Sequence, residues 1–237
     1  MNKTPHEGKS FIDDVVGSLP IMNNVNVIFC PPFTGLYNID ISPPYYLGAQ
    51  NCFYKDKGAY TGEISIEMLR DCNVEYVIIG HSERRHIFHE NNESIGKKMS
   101  TVINAEMKPI LCIGETIDEM NNGQTYDIIE EQIIIGLNNV KSIDNIIIAY
   151  EPVWAIGTGL TATVEKINEM HSFIRKMLSS LYTSNNSDKI PILYGGSVNS
   201  DNANELISID RVNGFLIGGA SLDVIKFTDV VKIVNEQ

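Results

Sequence analysis

Two stretches of this chain hold residue types able to move protons, and each follows a short apolar run. In Tyr150-Glu151-Pro152 a carboxylate closes such a run. If the run is a buried strand, Glu151 is partly desolvated and suits a general base; otherwise it is a solvated glutamate at a strand end. Behind it, Pro152 to Gly159 combines apolar residues that can close over a ligand with glycines that permit unusual dihedrals. It reads as a lid or as a plain surface loop, and the placing of the chain's only tryptophan, Trp154, favours the lid. In Gly80-His81-Ser82-Glu83-Arg84-Arg85 the histidine opens a polar, helical turn. A helix N-terminus disfavours imidazolium, so His81 is a candidate neutral donor, against the commoner structural role of a histidine in such a loop. Glu83 and Arg84 beside it also fit a solvated charged turn.

Two further stretches suit an anion. Gly195-Gly196-Ser197 and Gly218-Gly219 are small-residue turns after the last two apolar runs. Glycine lets backbone N–H groups approach an anion, and a following helix start adds its dipole. Two other motifs carry less. Gly157-x-Gly159-x-x-Ala162 has dinucleotide-fingerprint spacing, yet six residues separate it from Tyr150 and the stretch Met177–Tyr182 holds no acidic residue. That motif should follow a strand directly and meet an acidic partner about 20 residues on. His86-x-x-His89-Glu90 offers an imidazole pair on a helix without a third ligand, so a solvated or packed pair is expected rather than a metal site.

The elements that must hold these loops follow from pattern. Val25–Cys30, Tyr45–Gln50, Tyr76–Gly80, Pro109–Ile113, Asn145–Tyr150, Ile190–Tyr194 and Gly214–Ile217 are seven short, nearly all-apolar runs, as parallel strands buried on both faces should be. Thr4-Pro5-His6-Glu7 is a capping box that opens a helix through about Gly17. Glu165–Leu181 repeats apolar residues at helical period. Strand–helix alternation predicts a single α/β domain over 1–237 with a parallel sheet, its chemistry in the loops after the strands' carboxyl ends. At 237 residues the chain is slightly shorter than a (β/α)8 barrel, which typically has about 250 residues and eight strands.

Composition narrows the class. The chain is 43% hydrophobic and 20% charged, ordinary for a globular protein. A net charge of −12 makes nucleic acid an improbable partner. No apolar run has the length of a membrane span and no secretory signal opens the sequence, so a cytoplasmic protein without a membrane partner is expected. Cys30, Cys52, Cys72 and Cys112 lie far apart, which fits reduced, buried thiols.

Taken in order, GAQN (Gly48–Asn51), YTGEIS (Tyr60–Ser65), GHSERR (Gly80–Arg85), LCIGE (Leu111–Glu115), YEPVWAIGTG (Tyr150–Gly159), YGGSV (Tyr194–Val198) and IGGASL (Ile217–Leu222) resemble the triosephosphate isomerase family across essentially the whole chain. The resemblance implies a TIM (β/α)8 barrel that interconverts dihydroxyacetone phosphate and D-glyceraldehyde 3-phosphate; the family's mechanism is itself a worked case of barrel sites and pKa tuning. It implies Glu151 as the base and neutral His81 as the group that polarises the carbonyl. Ser82 and Glu83 would stand behind them. Gly157, Ser197, Gly218 and Gly219 would hold the phosphate. No metal or cofactor is needed, and a homodimer is implied through the Asn51–Gly62 loop.

One departure stands out. The family opens on a strand ending in Asn-x-Lys followed by Met-Asn, and this sequence starts at Met1-Asn2. The expectation is therefore a barrel without its first strand, and a natural protein that is longer. Lys3 lies at the start of the first helix and is no substitute for the missing lysine. Loss of one preorganised charge partner typically lowers the rate about 10²–10³-fold, so the competing reading of the chain as written is a catalytically impaired phosphate binder.

Overall fold

The computed structural model describes residues 1–138, 140, 143, 145–156, 162–182 and 187–237. Gly157, expected on the phosphate, lies outside the described residues, as does Gly159 of the dinucleotide spacing.

Helix α1 (Pro5–Ser18) starts where its capping box places it: Thr4 Oγ1 accepts from Glu7 N, and the Thr4 amide donates to Glu7 Oε2 at 2.8 Å. Pro5 at the first position loses no helical bond, because that N–H has no acceptor inside the helix. Six strands follow: β1 (Val27–Phe29), β2 (Tyr45–Ala49), β3 (Val74–Ile79), β4 (Lys108–Ile113), β5 (Ile147–Tyr150) and β6 (Ile192–Tyr194). They form one parallel sheet in the order β1-β2-β3-β4-β5-β6. Helices α2 (Ile66–Asp71), α3 (Ser82–His86), α4 (Asn92–Asn104), α5 (Ile117–Asn121), α6 (Thr125–Gly136) and α7 (Val164–Leu181) connect them, and α8 (Ala203–Ile207) and α9 (Val224–Asn235) complete the described chain.

The seventh expected strand is corrected. Gly214–Ile217 contributes one parallel bridge, Phe215 to Tyr194, with Tyr194 N donating to Gly214 O and Leu216 N to Tyr194 O, both at 3.0 Å. Gly214 has φ +148°, outside the strand region, and although Asn213 N still donates to Ile192 O at 2.9 Å, no regular ladder forms across it. Among the described residues nothing pairs with the outer edge of this segment or of β1. The cysteine expectation is also adjusted: all four thiols are free, but Cys30 and Cys72 are only half-buried by surface.

Strand residues alternate between two cores. Val27, Phe29, Val77, Ile79, Leu111, Ile113, Ile148 and Tyr150 face the helices in one large cluster. Tyr76, Ile78, Ile110, Cys112 and Ala149 form a second, small cluster, with Ile28, Tyr46, Leu193 and Leu216 packed against it. Residues from β1 through Leu216 share that small cluster, so the sheet must curl around it. Glu151 continues the inward parity of Ile147 and Ala149.

Candidate active site

Curling brings the carboxyl ends of β3, β4 and β5 together. Glu151 follows β5 directly, its amide donating to Ile113 O at 2.7 Å, and the residue is 2% exposed. Two glycines leave room for it. A Cβ on Gly114 would lie 1.7 Å from Glu151 O, and one on Gly195 would lie 2.8 Å from Glu151 Cγ.

His81 is the N-cap of α3, and its Nδ1 accepts from Glu83 N at 3.3 Å. That bond needs a lone pair on Nδ1, which assigns the proton to Nε2. His81 Nε2 is 3.0 Å from Glu151 Oε1, and Ser82 N donates to Glu151 Oε2 at 3.1 Å. The N-cap bond favours the neutral imidazole expected from sequence. Burial also lowers the pKa, but the hydrogen bond to Glu151, its charge and that of Glu83 together raise it above the ordinary histidine value. Glu83 acts through charge: its side chain is exposed, with Oε2 3.9 Å from His81 Nδ1. The sequence places Glu151, His81, Ser82 and Glu83 in one site, and the structure brings all four together.

The turns expected to take an anion are more open. Ser197 is half-buried and its carbonyl accepts from Asn202 Nδ2 at 3.0 Å. Gly195 and Gly196 answer to packing within the protein: a Cβ on Gly196 would lie 2.2 Å from Tyr194 Oη. Gly218 and Gly219 differ, with nothing within 4 Å of a Cβ at either position. They open a short 3-10 turn, Gly219–Leu222, whose last carbonyl accepts from Lys3 Nζ at 2.9 Å. Lys3 thus sits behind that turn. His86 ends α3 while His89 lies beyond it at φ +55°, both exposed, so they do not share a helix face. Among the described residues no three His, Cys, Asp or Glu side chains are grouped to hold a metal ion.

Comparison with known proteins decides among chemistries that a base and an imidazole could serve. The family model described as triosephosphate isomerase matches residues 1–234. The chain belongs to the triosephosphate isomerase family. Proteins named triosephosphate isomerase from Thermodesulfovibrio yellowstonii and Aquifex aeolicus are each 46% identical to it over 235 residues, covering 98% of this chain and 95% of theirs. The Endomicrobium trichonymphae protein of that name is 45% identical over 237 residues, 98% of this chain and 94% of its own.

Within this triosephosphate isomerase family member, sequence reasoning passed over three groups that shape the site. Glu115, directly after the Gly114 that follows β4, is fully buried and accepts from Trp154 Nε1 at 2.9 Å and from Tyr150 Oη at 3.2 Å. Burial raises its pKa, and the bonds from Trp154 and Tyr150 work against that rise. It anchors the start of the Pro152–Gly159 segment, the 3-10 turn Val153–Ala155. An acidic residue directly after an apolar run was a readable signal, the same one that marks Glu151. Arg85 bonds Gly80 O at 2.7 Å and Cys112 O at 2.9 Å, tying the ends of β3 and β4 together. The Ser82 contribution comes through its backbone amide, which side-chain type does not reveal.

Proposed function

We propose that this chain interconverts dihydroxyacetone phosphate and D-glyceraldehyde 3-phosphate. The carrying observation is the buried Glu151 carboxylate within 3.0 Å of His81 Nε2. A substrate carbonyl taking the place of Glu151 Oε1 meets the same Nε2–H, which removes the carboxylate that favours imidazolium. Glu151, freed, takes the proton from the carbon beside the carbonyl. The electron pair moves onto the carbonyl oxygen as His81 donates to it, giving an enediolate. His81 then moves the hydroxyl proton of the neighbouring carbon to the former carbonyl oxygen, and return of the carbon-derived proton from Glu151 to that oxygen's carbon completes the exchange of aldehyde and ketone. Gly218, Gly219, Ser197 and Gly157 take the phosphate, and closure of Pro152–Gly159 keeps water out so that the enediolate does not lose phosphate. No residue placement favours the non-catalytic binder. A coupled assay, with deuterium uptake from D2O into the substrate carbon, tests the reading; a chain that neither turns over nor exchanges sinks it.

The finer fold reading is an eight-stranded barrel closed by one more strand between β1 and Gly214–Ile217. It is supported by those two unpaired edges and by half-buried Ile28, Cys30, Leu193 and Leu216 beside them.

The homodimer is proposed through the Asn51–Gly62 loop. Its base is pinned by Phe53 N to Ile64 O at 2.8 Å and by Lys98 Nζ to Asn51 Oδ1 at 2.8 Å. Its tip projects into solvent with Tyr60 partly exposed, while Ile87 and Phe88 lie exposed elsewhere on the surface. Sedimentation at micromolar concentration tests this. A cytoplasmic site is part of the same proposal, and no helix among the described residues is long and apolar enough to cross a membrane.

A further inference from the structure

Gln132 lies on α6, on the helix side of the sheet, and is buried. Its amide closes a two-bond pair with one peptide residue: Gly114 N donates to Oε1 at 2.8 Å, and Nε2 donates to Gly114 O at 3.1 Å. The two bonds together fix which end of the amide is oxygen. A buried glutamine with both ends on one residue holds that residue in place.

Gly114 needs holding, because the β4–β5 ladder register ends at Ile113 and Tyr150. Beyond it the chains still run side by side, through Glu151 N to Ile113 O at 2.7 Å and Val153 N to Glu115 O at 3.0 Å. Gly114 sits between these two bonds, so close to the base that a Cβ would fall 1.7 Å from Glu151 O. A shift of the Gly114 peptide therefore becomes a shift of the Glu151 backbone. Its own N–H and C=O find their partners on Gln132.

We propose that Gln132 is a positioning residue for the base. It clamps the Gly114 peptide from outside the sheet and so sets where Glu151 stands, without touching Glu151. The proposal rests on Glu151 being the base of the isomerisation. Misplacing a reacting group by about 1 Å can lower the rate about 10²-fold.

The test uses Gln132→Leu and Gln132→Glu in the full chain, with Ile133→Val as control, a buried neighbour on the same helix. Gln132→Leu removes both bonds; Gln132→Glu removes the donor and sets a carboxylate against Gly114 O. By the same positional argument kcat falls about 10- to 100-fold in both, most in Gln132→Leu. KM and competitive inhibition by inorganic phosphate stay within about twofold, because the Gly218–Gly219 turn lies elsewhere. Trp154, the single tryptophan, bonds Glu115 next to Gly114, so its emission shifts in the Gln132 variants and not in the control. Thermal unfolding corrects all three for lost stability. The proposal is overturned if kcat falls no further than in Ile133→Val, or if KM and phosphate inhibition move as much as kcat. If the parent chain itself does not isomerise, the functional reading fails, and the Trp154 emission alone decides the clamp: no shift in Gln132→Leu overturns it.

Discussion

Glu115 and Glu151 follow neighbouring strands, β4 and β5, and both are buried, yet their partners differ in kind. Glu115 is fixed by Tyr150 Oη and Trp154 Nε1, donors on rigid aromatic groups. Glu151 is held by one backbone amide and by an imidazole N–H, the latter of which a substrate oxygen can take over. One carboxylate is therefore mortar for the Val153–Ala155 turn, and the other has partners that can be exchanged. Burial alone does not separate the two carboxylates; the replaceability of their donors does.

The widest separation between the two comes from Glu151→Gln and Glu115→Gln. Removing the base lowers kcat about 10²- to 10⁴-fold, with KM and thermal stability close to the parent. Glu115→Gln turns an amide nitrogen toward donors, so stability falls by about 1–3 kcal/mol while kcat falls less than tenfold. Steady-state kinetics and chemical denaturation on the two variants read both quantities. Equal kcat losses would erase the distinction.

The structural side of the comparison reaches further back, to His171. It is fully buried on α7, edge-on to Tyr150 with ring centroids 6.1 Å apart, and its Nδ1 bonds Arg211 O at 3.0 Å. Burial, with Arg175 nearby, pushes its pKa down to about 4. Unfolded, it titrates near its ordinary value of about 6.5. The unfolded chain therefore binds the extra proton first as pH falls. Stability from the neutral ring is complete above about pH 6.5 and is lost between there and about pH 4, a total of about 3 kcal/mol. Denaturation of the parent and His171→Gln at pH 7.5 and 4.5 isolates this part; identical pH dependence in both would remove His171 as its source.

Trp154→Phe probes the same anchor more gently. It keeps the ring and deletes the Nε1 bond to Glu115, leaving Tyr150 as donor. A hydrogen bond to a charged acceptor contributes about 1.5–3 kcal/mol, and the lower end is expected with one donor kept. Denaturation followed by circular dichroism measures it. A loss near zero would mean that Tyr150 alone fixes Glu115.

The difference between the two carboxylates also explains what the sequence could tell. Apolar runs set β1 to β6, and the Thr4–Glu7 capping box set α1, because those signals are local. Glu151 and His81 were legible because each follows a strand and carries chemistry in its side chain. The Gly214–Ile217 segment was read as a strand because its composition suits one, whereas pairing is a property of two segments. Gln132, Arg85 and the Ser82 amide were not legible for the same reason. Their work is to hold groups more than fifteen residues away in sequence, two of them peptides and one the Glu151 carboxylate, and nothing in residue type names the group held.

Glycines carry the contrast to the anion end, where the smallest effect is expected. Gly114 and Gly195 have no room for a Cβ because Glu151 fills it, so their role is decided by the protein. Gly219 has open space on that side, and an alanine there disturbs no neighbour. Gly219→Ala should therefore leave the unfolding midpoint unchanged within error. If the turn receives a phosphate, the added methyl crowds it, and KM and the inhibition constant for inorganic phosphate both rise about threefold, about 0.6 kcal/mol, with kcat held. A raised kcat effect with phosphate inhibition untouched would move Gly219 from the anion end to the carboxylate end. No change in either constant would leave Ser197 and Gly218 to hold the anion, and would show that empty space beside a glycine is not by itself a cradle.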